Sequence, residues 1–92
     1  MQPIQRECVA EARRIGYKAV KMPVDQDSGW PDYQFVGWES HIFFVEFKRP
    51  GEKLRPRQRR KIRDLTAMGH EVYVIDNVDD FYRIHKPGYK KC

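Results

Sequence analysis

The sequence has no long apolar run and few cysteines. No stretch approaches the ~20 apolar residues that a membrane-spanning helix needs, and the N-terminal residues lack the apolar region of a secretory signal peptide. The two cysteines, Cys8 within a helical pattern and Cys92 at the last position, are a poor basis for a disulfide framework. We therefore expect a soluble, cytoplasmic protein with no membrane partner.

Histidine is also scarce, and the chain is short. The three histidines lie at a turn, a helix exit and the tail, without the spacing of zinc ligands. We assign them no chemistry, and we expect no organic cofactor. A chain of 92 residues can form one hydrophobic core but not two. We therefore expect a single domain over residues 1–92.

The periodicity of the apolar residues predicts an α/β fold. Helices are predicted over residues 4–15 and 55–68, strands over 17–22, 32–37, 41–48 and 71–76, a short helix or extended cap over 77–84, and a tail over 85–92. Gly16 and Gly69 follow the two longer helices, where glycine commonly ends a helix. There is no internal repeat and no linker.

The strands over 32–37 and 41–48 are predicted to form an antiparallel hairpin, because only the short turn sequence GWESH connects them. Facing residues of such a pair have a constant index sum, here 78 to 80, so Asp32 faces either Glu46 or Lys48. Side chains alternate between the faces of a strand, which puts Glu46 and Lys48 on the same face. Two acids and a lysine should therefore converge at one end of the hairpin.

These three charged residues suggest a site for a divalent cation and its water, since hard cations prefer carboxylate oxygens. The alternative is a Glu–Lys pair on the exposed face of an edge strand. The apolar neighbours argue against an exposed pair, because the strand shows little of the alternation between apolar and polar residues that an exposed face produces. Charges buried in such a strand need a charged partner or a metal. Those neighbours are Ile42, Phe43, Phe44, Val45 and Phe47.

Positive charge is concentrated in residues 49–63. This segment holds eight of the eighteen Lys and Arg residues and one of the thirteen acids. Such a block is typical of a surface that binds a polyanion, although a merely solvated helix face is the commoner origin of charge runs. The residues expected to contact the phosphates of such a polyanion, some of which are expected to be only solvated, are Lys53, Arg55, Arg57, Arg59, Arg60, Lys61 and Arg63.

The segments GWPD and FVEFKRPGEKLRPRQ give the chain a specific resemblance. The bare pattern of Asp, then Glu-x-Lys, is common by chance, but Gly29, the KLRP run and Gln58 at their spacing make the match strong. The chain resembles the VRR-NUC family of the PD-(D/E)xK nuclease superfamily from about Lys21 to the sequence GHEVYVID. The resemblance implies a restriction-endonuclease-like core, in which a central mixed β-sheet, with a β-hairpin carrying the active site, is flanked by α-helices.

The resemblance also implies the metal and its ligands. Asp32, Glu46 and the backbone carbonyl of Phe47 would bind Mg²⁺, for which Mn²⁺ would substitute. Lys48 would orient or help to deprotonate the attacking water and steady the charge on the phosphate. Asp32, Glu46 and Lys48 would thus be the principal catalytic residues.

Gln58 is the next predicted site residue. Helical spacing puts it on the inward stripe with Ile62 and Leu65, where solvation does not explain an amide. The alternative is a buried amide satisfied by the backbone. The family pattern has a glutamine at this point, which favours a catalytic role.

The family usually adds an acidic residue from the first helix. Glu7 and Glu11 both flank the apolar stripe of that helix, and we prefer Glu7 as the further catalytic residue and metal ligand. The alternative is that both are ordinary surface acids that pair with Arg13 or Arg14.

The expected activity is metal-dependent hydrolysis of DNA. One small chain offers one site, whereas cutting two strands symmetrically needs two, so we expect a homodimer. By analogy with archaeal Holliday junction resolvases we expect branched DNA, chiefly four-way junctions, as substrate. The alternatives are a nuclease for flaps, nicks or duplex DNA, and a non-catalytic DNA-binding module. Trp30 and Trp38 could stack on unpaired bases, but packing or dimer contact is the commoner role.

Overall fold

The computed structural model describes residues 3–23 and 29–84. The elements in chain order are α1 (Pro3–Arg14), β1 (Lys18–Lys21), β2 (Tyr33–Val36), β3 (Ile42–Phe47), α2 (Pro56–Ala67), β4 (Glu71–Ile75) and α3 (Val78–Ile84). The predicted tail over 85–92 lies outside the described residues. Among the described helices, none is long and apolar enough to cross a membrane.

The four strands form one mixed sheet in the order β1-β2-β3-β4. The first two pairings are antiparallel, and β4 adds to β3 in parallel after the crossover through α2. The predicted hairpin, β2 and β3, therefore lies at the centre of the sheet. The predicted α/β fold with a central mixed sheet and flanking helices is confirmed.

The register of the hairpin decides which residue Asp32 faces. Tyr33 pairs with Val45 and Gln34 with Phe44, an index sum of 78. This is the lower end of the predicted range. Continuing the register by one residue sets Asp32 opposite Glu46 and rules out Lys48 as its direct partner.

One face of the sheet carries the core. Its strand residues are Tyr33, Phe35, Phe43, Val45, Phe47 and Ile75, all buried. They pack against Cys8, Val9 and Ala12 of α1 and against Phe81 and Ile84 of α3. The rings of Phe35 and Phe43 are stacked with 5.2 Å between centroids. This aromatic layer fixes the hairpin on which the charged residues lie.

The opposite face carries Phe44 and Glu46 and lies under α2. The ring of Phe44 contacts the rings of Trp30 and His70 at centroid distances of 6.3 and 6.1 Å. Because α2 connects two parallel strands, it begins near the C-terminal end of β3 and runs back along the sheet. The first turn of α2 therefore lies at the end of β3, close to Glu46 and Lys48.

Candidate active site

The carboxyl groups of Asp32 and Glu46 lie together at the end of the hairpin. Glu46 is 3% exposed and Asp32 is half-buried. Asp32 Oδ2 accepts a hydrogen bond of 2.8 Å from the backbone N–H of Phe47. Burial, and then the charge of Asp32, raise the pKa of Glu46 to about 7. Burial also raises the pKa of Asp32. The pair is thus unfavourable in its ionised form unless a cation joins it.

Asp32 and Glu46 each have a carboxylate oxygen that is available to bind a hard cation. Within residues 3–23 and 29–84, no hydrogen bond or ion pair reaches Asp32 Oδ1 or Glu46 Oε1. These residues also contain no group of three or more His, Cys, Asp and Glu that could hold a metal. Asp32 and Glu46 are two carboxylates, a number that suits Mg²⁺, which usually keeps several waters. The predicted ligands Asp32, Glu46 and the Phe47 carbonyl remain a prediction.

Lys48 is the cation of the site, and it is 6% exposed. Its Nζ lies 3.6 Å from Glu46 Oε2 and 3.8 Å from Glu52 Oε2. Its backbone N–H donates to the carbonyl of Ile75 at 2.9 Å, which extends the pairing with β4. A buried ammonium needs anionic partners. Lys48 is therefore held beside the carboxylates, as its predicted role requires.

Glu52 belongs to this group of charges and was missed by the sequence analysis. It ends a turn in which its N–H donates to the carbonyl of Arg49 at 2.9 Å, with Pro50 and Gly51 between them. Glu52 Oε1 accepts from the Arg49 N–H at 2.9 Å, and this bond is the main reason that the pKa of Glu52 is lowered. The charge of Glu52 in turn contributes to the raised pKa values of Asp32 and Glu46. A Pro-Gly turn directly after Lys48 was the signal that could have revealed it.

Gln58 connects α2 with the carboxylate pair. Its Nε2 donates a hydrogen bond of 2.8 Å to Glu46 Oε2, and its Oε1 accepts one of 2.8 Å from the backbone N–H of Arg55. The inward orientation agrees with the helical stripe. The alternative is an amide whose hydrogen bonds are all made with the backbone. It holds for Oε1, which accepts a backbone N–H, but not for Nε2, which donates to the side chain of Glu46.

Gly29 allows the loop before Asp32 to pack directly on α2. A Cβ at this position would lie 2.4 Å from the carbonyl oxygen of Arg57 and 2.6 Å from its carbonyl carbon. The φ of Gly29 is +70°, a conformation that glycine adopts readily. The glycine of the GWPD segment therefore sets the distance between Asp32 and the first turn of α2.

The structure does not bring the predicted helix acid Glu7 into this group. Helix α1 packs on the sheet face opposite to that of Glu46, and Glu7 Oε2 accepts a hydrogen bond of 2.9 Å from the hydroxyl of Tyr82. Glu11 instead forms two hydrogen bonds with the guanidinium of Arg14, at 2.9 and 2.6 Å. The alternative, a surface acid paired with an arginine, therefore describes Glu11.

The predicted DNA-contacting residues lie on the surface of α2 and the segment before it. All are exposed except Lys61, which is half-buried; they are Lys53, Arg55, Arg57, Arg59, Arg60, Lys61 and Arg63. Arg59 donates to the carbonyl of Leu54 at 2.9 Å, and the Nζ of Lys61 lies 4.6 Å from the centre of the Trp30 ring. The positive surface and the carboxylate pair thus meet at the first turn of α2.

Comparison with known proteins agrees with this arrangement. A model of the VRR-NUC domain family matches residues 5–79. A protein named "Putative nuclease p44" from Acyrthosiphon pisum secondary endosymbiont phage 1 is 41% identical over 76 residues, which are 83% of this chain and 82% of that protein. A solved structure of a VRR-NUC domain has a TM-score of 0.82 at 23% identity, with 94% of each chain covered, so the fold is shared. The family match includes the hairpin, Lys48 and all of α2, and the chain therefore belongs to the VRR-NUC nuclease family.

Proposed function

We propose that the protein is a Mg²⁺-dependent endonuclease that hydrolyses phosphodiester bonds in DNA. The observation that carries the proposal is the meeting of Asp32 and Glu46 with Lys48, whose Nζ is 3.6 Å from Glu46. In metal-assisted hydrolysis of a phosphate diester, two carboxylates can hold the metal and an adjacent ammonium can stabilise charge on the phosphate. The exposed cations of α2 beside them suit a nucleic acid substrate.

Each residue has a definite part in the proposed reaction. When bound, Mg²⁺ lowers the pKa of a water ligand and stabilises charge on the phosphoryl oxygens. Asp32, Glu46 and the Phe47 carbonyl hold the ion, and Mn²⁺ substitutes for it. Lys48 orients the water and stabilises negative charge on the phosphate. Gln58 keeps Glu46 oriented by its hydrogen bond to Oε2.

We further propose branched DNA, chiefly four-way junctions, as the substrate and a homodimer as the active form. Each chain has one pair of carboxylates at the hairpin, and symmetric cutting of two strands needs two such sites related by a two-fold axis. The exposed positive surface of α2 binds phosphates without reading sequence. Selection by DNA shape rather than by base sequence is consistent with such a surface.

The test is cleavage of a four-way junction, a flap, a nicked duplex and a linear duplex at equal concentrations, with Mg²⁺, Mn²⁺ or EDTA. We expect cutting with either metal, none in EDTA, and the fastest cutting on the junction. Lys48→Ala should still bind DNA but cut at least about 100-fold more slowly. Equal cutting by Lys48→Ala and by Lys18→Ala, a matched control at an exposed lysine of β1, would refute the role of Lys48.

The same experiment separates the alternatives. If a flap, a nicked duplex or the linear duplex is cut faster than the junction, the proposed nuclease activity stands. That DNA then replaces the four-way junction as the proposed substrate. A protein that only binds DNA would shift it in a gel equally with and without Mg²⁺, and equally after Glu46→Ala, and would cut none of the four substrates.

A further inference from the structure

A cleft of about 510 Å³ opens beside Asp32 and Gln58. It lies between the end of β1 and the first turn of α2, with the segment Gly29–Pro31 as part of its lining. Its size is that of a pocket for a small organic ligand. The cleft therefore adds a binding space that adjoins the carboxylate pair, and Asp32 and Gln58 form part of its lining.

The lining of the cleft combines two kinds of chemistry. Its apolar and aromatic part is formed by Met22, Pro23, Trp30, Pro31 and Pro56. Its cationic part is formed by Lys21, Arg55 and Arg57, all exposed. A planar aromatic ring attached to a phosphate satisfies both parts at once, and a nucleotide has both groups.

Trp30 is held in place to receive such a planar group. The residue is 37% exposed, and its ring lies 6.3 Å from the ring of Phe44 and 4.6 Å from the Nζ of Lys61. The adjacent Gly29 packs on the backbone of Arg57, which fixes the loop against α2. An aromatic ring held in this way can stack on a base with little ordering cost.

We infer that this cleft receives one unpaired nucleotide of the DNA, close to the phosphate that is cut. The position of the nucleotide relative to the cut rests on the proposed nuclease function; the binding itself does not. A nucleotide within a duplex must first be unstacked and unpaired, which costs free energy, before it can enter. The cleft would thus select DNA that carries an unpaired nucleotide, as flaps and bulges do, over fully paired duplex. A four-way junction, whose bases are all paired, would have to open a pair beside the branch point to fill the cleft.

Binding without cleavage tests this inference. The chain has two tryptophans, so Trp38→Phe leaves Trp30 as the sole indole; Trp38 itself is 77% exposed. The probes are two duplexes that differ only in whether one 2-aminopurine nucleotide is unpaired or paired, measured in EDTA. We expect the unpaired probe to quench Trp30 fluorescence and to bind about tenfold tighter than the paired one. Equal affinity and equal quenching for the two probes would overturn the inference.

Variants of Trp30 separate stacking from general DNA binding. Trp30→Ala should bind the two probes equally, whereas Trp30→Phe should keep most of the preference, because a phenyl ring still stacks. A folded Trp30→Ala protein, checked by circular dichroism, that keeps the full preference contradicts the inference. These binding assays contain no metal, so their results test the cleft even if the protein cuts no DNA. Failure of the nuclease proposal would be seen separately, in the cleavage assay.

Discussion

Gln58 Nε2 and Glu46 Oε2 are joined by a hydrogen bond of 2.8 Å that ties the first turn of α2 to the central strand β3. The oxygen of the same amide accepts the N–H of Arg55, which would otherwise be one of the unpaired donors before the helix. One side chain therefore closes the helix start and positions a carboxylate. The positive surface of α2 is aligned with the carboxylate pair by this single amide.

We predict that Gln58→Ala lowers both stability and cleavage rate. The variant loses two hydrogen bonds, one of them to a carboxylate, and we expect about 1–3 kcal/mol less free energy of unfolding and at least a tenfold lower kcat. Urea denaturation and a single-turnover cleavage assay measure the two effects. Arg63→Ala on the same helix, whose side chain is 74% exposed, should leave stability nearly unchanged. A Gln58→Ala protein that cuts as fast as the wild type would show that the amide is only a helix cap.

The metal-free protein should lose stability as the pH rises. Glu46 has a folded pKa of about 7 against an ordinary value of 4.5, because burial and the charge of Asp32 disfavour its ionised form. A carboxyl whose folded pKa is raised stabilises the fold fully below 4.5 and loses this contribution as the pH rises through about 7. The loss is on the order of 3 kcal/mol.

Urea denaturation in EDTA between pH 4.5 and 8 measures this loss, and Glu46→Gln should remove most of it. Mg²⁺ added at pH 8 should restore stability to the wild type but not to Glu46→Gln. Parallel stability curves for the two proteins, with no response to Mg²⁺, would contradict both the raised pKa and the metal site.

Glu52→Gln tests whether the turn after β3 positions Lys48. The amide oxygen of glutamine can still accept the N–H of Arg49, so the turn is kept while the charge 3.8 Å from Lys48 is lost. We expect kcat to fall several-fold with no loss of DNA affinity, because removing a negative charge near the phosphate does not weaken its binding. Glu39→Gln in the hairpin turn is the matched control for net charge. Equal kcat for both variants would remove Glu52 from the site.

The sequence predicted the hairpin and its charged end well because these features depend on local rules. A short turn limits the register to an index sum of 78 to 80, and alternation then puts Glu46 and Lys48 on one face. The first helix is different. Glu7 and Glu11 flank the same apolar stripe, and periodicity shows which face is buried but not which face of the sheet the helix covers. The face of the sheet that the helix covers depends on tertiary packing. The placement of Glu52 Oε2 at 3.8 Å from Lys48 Nζ depends on it as well.

The last prediction concerns the close approach of the GWPD segment to α2. Gly29→Ala would put a Cβ 2.4 Å from backbone atoms of Arg57, which cannot move without displacing the first turn of α2. Gly69→Ala is the matched control: Gly69 also has a positive φ, +96°, but a Cβ there meets nothing within 4 Å. Gly69→Ala should therefore cost only backbone strain, about 1–2 kcal/mol.

Gly29→Ala should cost more than this and should also lose cleavage at least tenfold, because the displacement separates Gln58 from Glu46. Thermal denaturation and the cleavage assay measure both variants side by side. Equal losses of stability, with cleavage retained by both, would show that Gly29 is required only for its backbone conformation and that the distance between Asp32 and α2 does not control the reaction.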